Sequence, residues 1–301
     1  MSWRRGSPRV SRVLNWIGRL LGLAKSSSCD CDCYRDELAL LKVAEGVYRV
    51  PARHANTYLV EADNGLVLVD TGMPGSENRI LKAVADLGRE SSDVKLILLT
   101  HRHWDNIGSA AALKKATSGM LVSHGFEKPY VAGTLVVITP RAWSLYGRIA
   151  RRALAIASST KKLLRLVKYH PVLVDGASDD ESILEDVGLD GSIVWTPGHT
   201  KGSISLFVNK SRVAIIGDLL RTKRGKLREP LFMENISQER SSVQRILDLH
   251  PVILCPSRGK PLPPSKVRIK ERIAKPVKMG TKKDEEDIDL ESLAKDLSAE
   301  A

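Results

Sequence analysis

The chain has 301 residues and is 43% hydrophobic, so it can bury a substantial core as one large domain or two smaller ones. Its formal net charge is +12, and the basic stretches 1–28 and 141–168 favour anionic partners, the alternative being solvated helix faces. Three of its four cysteines lie at alternate positions, too close together for a disulfide framework, and the predicted location is therefore cytoplasmic.

Residues 1–36 form a basic N-terminal segment. Within residues 1–28, apolar residues recur at helical spacing among arginines and a lysine, with no acidic residue and no apolar run long enough to span a bilayer. Three interpretations stay open: a helix lying peripherally on an anionic membrane surface, a helix docked on the domain, or a start codon assigned too early. The linker that follows carries Cys29, Cys31 and Cys33, which could bind a soft metal, although their spacing is not a standard one for structural zinc.

A folded domain is predicted over residues 41–263, where apolar periodicity is sustained. The predicted strands are 43–50, 57–62, 66–70, 94–100, 120–123, 135–138, 172–175, 192–196, 203–208, 212–217 and 252–255. The predicted helices are 76–87, 106–115 and 238–249, with one or two basic helices in an insert over residues 141–170. Residues 266–301 form a charged tail that is typical of a disordered segment or a marginal helix.

The first candidate site is the loop that follows the apolar run at residues 96–99. It carries His101, His103 and Asp105 at alternate positions. Because alternate residues of an extended segment point the same way, the two histidines can bind one cation while Asp105 faces a neighbouring position. The alternative is a polar turn that carries two histidines by chance.

A second loop, residues 196–203, also follows a predicted strand and carries His199 in a rigid turn with Pro197 and Gly198. A third imidazole completes the usual ligand set of a catalytic zinc, which has three protein ligands and an open position. Asp218 adds a carboxylate after another strand. Asp70, also at a strand end, is expected to support the site by hydrogen bonding, the alternative being an ordinary turn.

These motifs, in this order, resemble those of the metallo-β-lactamase-fold hydrolases. The matches are Asp70-Thr-Gly72, Thr-His101-x-His103-x-Asp105-x-x-Gly108, Thr-Pro-Gly-His199-Thr-x-Gly-Ser203 and Gly217-Asp218. The resemblance implies an α/β fold, a four-layer αβ/βα sandwich with a metal site at one edge, and it is nearest to the glyoxalase-II-like group. It implies that His101, His103 and His199 hold a first metal. It also implies that Asp218 bridges to a second metal, which Asp105 binds while orienting a water.

The chain departs from this family at the second metal position. Asn106 stands where the family usually has a histidine, and Arg258 stands in the place of another. We therefore predict that a single ion binds, zinc, with iron or manganese as alternatives, and that the Arg258 guanidinium takes the second ion's place. Arginine pairs well with carboxylates, so it could neutralise Asp105 and Asp218 or bind an anionic substrate. A degenerate site without turnover is the alternative.

The predicted function is a metal-dependent hydrolase that uses a metal-bound hydroxide on a small, anionic ester or thioester. Asp105 would orient the hydroxide and accept its proton, and Arg258 would help to stabilise the oxyanion. The alternative is a weak or inactive binding protein of the same fold, which associates with nucleic acid or an anionic membrane through basic patches. Of these two partners, nucleic acid is the less favoured prediction, although the basic stretch 141–168 supports it.

Overall fold

The computed structural model describes residues 40–52, 55–135, 170–178 and 182–269. The N-terminal segment, the cysteine-bearing linker, the basic helices of the insert, most of the strand predicted at 135–138 and the tail beyond residue 269 lie outside these ranges. The membrane and nucleic-acid partners inferred from them, and the cytoplasmic location, stay predictions. Within the described ranges, no helix combines the length and the apolar character needed to cross a membrane.

Thirteen strands and six α-helices are formed by the described residues. The strands are β1 (Leu41–Ala44), β2 (Val47–Ala52), β3 (Ala55–Ala62), β4 (Gly65–Val69), β5 (Val94–Leu99), β6 (Met120–Ser123), β7 (Gly176–Ala177), β8 (Gly191–Trp195), β9 (Ile204–Val208), β10 (Val213–Gly217), β11 (Arg221–Lys223), β12 (Lys226–Arg228) and β13 (Ile253–Pro256). The helices are α1 (Glu77–Asp86), α2 (Trp104–Ile107), α3 (Ala110–Thr117), α4 (Lys128–Val131), α5 (Ser182–Asp186) and α6 (Ile236–Asp248), and Ser91–Asp93 and Pro264–Lys266 form short 3₁₀ turns.

The described strands build two main sheets. The larger has the order β1-β2-β3-β4-β5-β6-β7, antiparallel from β1 to β4 and parallel from β4 to β7. The smaller has the order β13-β10-β9-β8, in which β10 runs parallel to β13 and antiparallel to β9. Strands β11 and β12 form a separate hairpin.

Hydrophobic side chains divide these elements into four layers. Leu96 and Leu98 of β5 pack against residues of β9 and β10 between the sheets, whereas Ile97 and Leu99 pack with α1 and α3 on the outer face. This alternation follows from the twofold period of a strand that is buried on both faces. The outer face of the smaller sheet packs against α6 in a third cluster. The predicted αβ/βα sandwich is therefore confirmed.

Three predicted elements differ from the structure. The strand predicted over 43–50 is a hairpin, because Gly46 adopts a φ of 67° and turns the chain between β1 and β2. The helix predicted over 106–115 is broken between α2 and α3, where the Gly108 N–H donates to the carbonyl of Gly72 instead of continuing the helix. The strand predicted over 172–175 is wrong: the Asp175 side chain accepts the Leu121 N–H, and the strand begins only at Gly176.

Described residues beyond residue 263, the predicted end of the domain, also pack on it. The Arg268 N–H donates to the Leu227 carbonyl, and Val267 packs on the cluster that covers the smaller sheet. The compact unit accordingly ends at Ile269.

Candidate metal centre

The candidate metal centre lies where strand ends from both sheets meet. The parallel strands β4 and β5 end at one edge of the larger sheet, and β8, β10 and β13 end at one edge of the smaller sheet. The two histidine-bearing loops follow β5 and β8. Asp218 follows β10 directly, and Arg258 follows β13 by two residues. The fold thus brings together residues that are up to 157 positions apart in the sequence, from His101 to Arg258.

Three imidazoles and one carboxylate converge on a single point. The ring centroids of His101, His103 and His199 lie 4.7–4.8 Å apart, with each pair of rings nearly perpendicular. One ligand atom from each histidine and one carboxylate oxygen of Asp218 all lie within 4.8 Å of one another. Asp105 is not part of this group. The geometry therefore brings together four of the five predicted metal ligands.

Hydrogen bonds fix which nitrogen of His101 faces this point. The carboxylate of Asp70 accepts from the Thr100 N–H at 2.8 Å and from the Thr100 hydroxyl at 2.8–3.0 Å. Because that hydroxyl donates its only proton to Asp70, its oxygen, 3.0 Å from His101 Nδ1, accepts from the ring. His101 Nε2 then carries a lone pair, and it is buried with no hydrogen-bond partner among the described residues. Asp70 is therefore the hydrogen-bonding support that its strand-end position predicted.

His199 is oriented in the same manner. Its Nδ1 lies 2.8 Å from the carbonyl oxygen of Phe232, which can only accept, so Nδ1 carries the proton. His199 Nε2 faces the cluster, 2.9 Å from His103 Nδ1 and 3.5 Å from Asp218 Oδ2. A backbone carbonyl or carboxylate on the far ring nitrogen is the usual partner of a metal-binding histidine.

Burial sets the protonation states of the cluster. Loss of solvent lowers the pKa of His101, His103 and His199, and keeps all three rings neutral. Burial works to raise the pKa of Asp218, but Arg258 and the histidines outweigh it and the pKa is lowered. Burial raises the pKa of Asp70 to about 7, against the hydrogen bonds from Thr100 and Asn106. Neutral imidazoles and an ionised carboxylate are the forms that bind a metal, so the residues fit a divalent cation.

Arg258 lies between two carboxylates beside this cluster. Its Nε donates to Asp218 Oδ2 at 3.0 Å, and its Nη2 donates to Asp105 Oδ2. The carboxylates are buried, whereas 37% of the Arg258 side chain is exposed. Its third nitrogen, Nη1, makes no hydrogen bond within the described residues. The structure thus pairs Asp105 with Arg258, which is the neutralising contact that we predicted for this arginine.

Asn106 belongs to a hydrogen-bond network behind the cluster. Its Nδ2 donates to Asp70 Oδ2 at 2.8 Å and to Ser257 Oγ at 2.9 Å. The residue is fully buried. Through these two hydrogen bonds its amide links the end of β4 to the turn that carries Arg258. Asn106 therefore has a structural role at the position where the family usually has a metal ligand.

A buried glutamate that was not predicted from the sequence joins the two histidine-bearing loops. Glu127 is completely buried and accepts from the Arg102 N–H at 3.0 Å, between the two histidines of the first loop. It also accepts from the Thr200 hydroxyl at 3.0 Å and the Gly202 N–H at 2.8 Å in the second loop. A Cβ at residue 202 would lie 2.5 Å from the carboxylate, so only glycine allows this approach.

The Arg102 side chain reinforces the same link. Its Nη1 pairs with Glu127 at 3.0 Å and its Nη2 pairs with Glu234, while its guanidinium lies 4.1 Å from the centroid of the Tyr130 ring. Glu234 in turn accepts from the Lys201 N–H in the second loop. The partners of Glu127 lie 25 to 75 residues away from it in the sequence. No local motif could therefore have indicated its role.

The variant Glu127→Gln is expected to weaken metal binding, because an amide offers fewer acceptor sites than a carboxylate to the donors of both loops. Loss of support behind metal ligands typically costs about 10–100-fold in metal affinity. The free energy of unfolding should also fall by about 3 kcal/mol, as when a buried ion pair loses one partner. Competition with a chelator measures the first effect and chemical denaturation the second. The exposed Glu185→Gln is the matched control, and equal affinities in the two variants would refute the link.

A second buried carboxyl lies against the His199 turn. Glu239, in the first turn of α6, is completely buried beside the backbone N–H of His199. Burial raises its pKa well above the usual value, which keeps the group neutral. A Cβ at Gly198 would lie 2.3 Å from the Glu239 backbone nitrogen, so α6 packs directly on this turn and holds it in place.

The sequence of this chain is similar to those of several known proteins. A family model described as the metallo-beta-lactamase superfamily matches residues 50–258. The chain is 28% identical over 241 residues to YflN of Bacillus subtilis, described as a probable metallo-hydrolase, an alignment that covers 73% of this chain and 86% of YflN. It is 43% identical over 75 residues to metallo-beta-lactamase domain-containing protein 1 of Rattus norvegicus, which covers 25% of this chain and 29% of that protein.

Two solved structures show the same fold. A metallo-beta-lactamase of Cronobacter sakazakii with a HARLDQ motif gives a TM-score of 0.54 at 20% identity, covering 73% of this chain and 80% of that chain. A subclass B3 metallo-beta-lactamase of Bradyrhizobium japonicum also gives a TM-score of 0.54, at 21% identity, covering 76% of this chain and 81% of that chain.

Proposed function

Because the chain belongs to the metallo-beta-lactamase superfamily and is a metal-dependent hydrolase, we propose that it cleaves a small, anionic ester or thioester at a centre that holds one zinc ion. The observation that supports this most directly is the convergence of His101, His103, His199 and Asp218 on one point. A divalent ion held there would supply a Lewis acid and lower the pKa of a bound water.

The remaining roles belong to residues beside the cluster. Asp105 is buried, and only its Oδ2 pairs with Arg258, so its Oδ1 is free to orient the attacking water and to accept its proton. The backbone places this carboxylate in the first turn of α2, two residues after His103, which keeps it close to the cluster. Asp105 is therefore the general base of the proposed reaction.

Arg258 is the residue that would select an anionic substrate. Its Nε and Nη2 donate to two buried carboxylates, whereas Nη1 has no partner within the described residues, on a side chain that is 37% exposed. A guanidinium held in this way is oriented before the substrate arrives, and it can pair with a carboxylate or stabilise a developing oxyanion.

The first experiment is an activity screen of the full chain loaded separately with zinc, manganese and iron. Thioester, ester, lactone and phosphodiester substrates would be compared in anionic and neutral forms, with His199→Ala as the inactive control. We expect turnover of the anionic thioesters or esters. Metal-loaded protein that turns over none of these classes would instead favour a binding protein of the same fold.

The variant Asp105→Asn separates catalysis from metal binding. Because Asp105 lies outside the four-residue cluster, metal affinity should change little. Turnover should fall by about 100-fold or more, the scale of general-base catalysis. Metal content and kcat measured on the same preparation test this. A loss of metal in proportion to the loss of kcat would assign Asp105 to the metal ligands instead.

A further inference from the structure

A separate cavity opens at the edge of the sandwich, between the first strands of the larger sheet and the last strand of the smaller one. Its volume is about 470 Å³. It is lined by residues 41–43 of β1, Arg49 of β2, Ile253 of β13 and residues 260–263. None of these residues belongs to the metal centre. The volume lies within the range of small-molecule sites in proteins.

Arg49 is the unusual member of this lining. It pairs with Tyr58 across β2 and β3, and directly paired residues project from the same face of a sheet, here towards the core between the sheets. The residue is 5% exposed, and its Nε is buried without a hydrogen-bond partner. No acidic side chain within the described residues pairs with it. A buried guanidinium without a counter-charge is costly, so an anion is the expected partner.

The rest of the lining indicates what kind of anion fits. Lys42 and Lys260 add two exposed positive charges at the same cavity. The other walls are apolar and come from leucine, valine, isoleucine and proline side chains. An inorganic anion would leave these walls uncovered, whereas a ligand with an apolar body would bury them and gain from their desolvation.

We propose that this cavity binds a small amphiphilic anion, with its carboxylate paired to Arg49 and its apolar chain lying against the walls. A carboxylate matches the planar donor set of a guanidinium. This ligand site is independent of the metal centre and of the hydrolytic reaction.

Decanoate is the probe, titrated calorimetrically into the full-length, metal-loaded protein. One decanoate should bind per chain. Decanol, which lacks the carboxylate, and inorganic phosphate, which lacks the apolar chain, should each bind far more weakly. Arg49→Met should weaken decanoate binding by about tenfold or more, the equivalent of one hydrogen bond to a charged group. Lys115→Met, which removes an exposed charge outside the cavity, should not.

Two further measurements make the assignment specific. Decanoate binding should persist in His199→Ala, because a fatty acid bound at the metal centre would be lost with the metal. Arg49→Met should raise the unfolding midpoint of the ligand-free protein, because it removes an uncompensated charge, and should abolish the increase caused by decanoate. Equal affinity in Arg49→Met, or a lower midpoint of the ligand-free variant, would overturn the proposal, the latter by showing that Arg49 already has a partner within the chain.

Discussion

Replacing His101 by alanine is expected to abolish tight metal binding and, with it, hydrolysis. His101 contributes the one ring nitrogen of the cluster that is both buried and without any hydrogen-bond partner among the described residues. Its loss leaves two imidazoles and one carboxylate. Because a change that only disturbs the support of a ligand costs about 10–100-fold in affinity, removal of the ligand itself should cost about 100-fold or more. Elemental analysis after dialysis against a chelator, with turnover measured on the same sample, tests this.

The exposed histidine His250 provides the matched control, since His250→Ala removes the same side chain outside the site. Metal content and turnover of that variant should equal those of the wild type. The metal-free His101→Ala protein should also fold, because the three hydrophobic clusters that stabilise the sandwich do not include His101. A His101→Ala protein that keeps its metal through dialysis would show that the ion is bound elsewhere.

Local sequence patterns were sufficient for the elements that carry this site. The apolar run of β5 and the alternation of His101, His103 and Asp105 are short-range signals, and the structure confirms the strand and the orientation of both histidines. The same holds for the turn before His199. Patterns of this kind succeed because the period of a strand directly determines which side chains share a face.

Long-range contacts account for what the sequence did not predict. Glu127 contacts both histidine-bearing loops only because the fold brings β6, β5 and β8 to the same edge, and nothing in its neighbourhood distinguishes it from a surface glutamate. Arg49 stands in a strand of otherwise ordinary composition, and the cavity that it lines is shared with Ile253 of β13, 204 residues further along the chain. The strand predicted at 172–175 is wrong for a similar reason, because the Asp175 side chain accepts the Leu121 N–H in place of a backbone carbonyl.

The double variant Asn106→His with Arg258→His is expected to raise the metal content from one ion per chain to two. In the wild type, Asp218 within the cluster and Asp105 beside it are both paired with Arg258. One divalent ion together with Arg258 already outweighs their charge. A second ion would therefore add positive charge with no carboxylate to balance it, and it would have to displace a guanidinium that two buried acceptors hold.

The double variant removes that obstacle and adds two imidazole ligands next to Asp105 and Asp218. Each single variant should stay at one ion: Asn106→His leaves Arg258 in place, and Arg258→His leaves the Asn106 amide bound to Asp70 and Ser257. Metal content, measured by elemental analysis after gel filtration, distinguishes these cases without relying on activity. Two tightly bound ions in the wild type would disprove the single-ion centre. A double variant that stays at one ion would show instead that Arg258 is not what excludes the second ion.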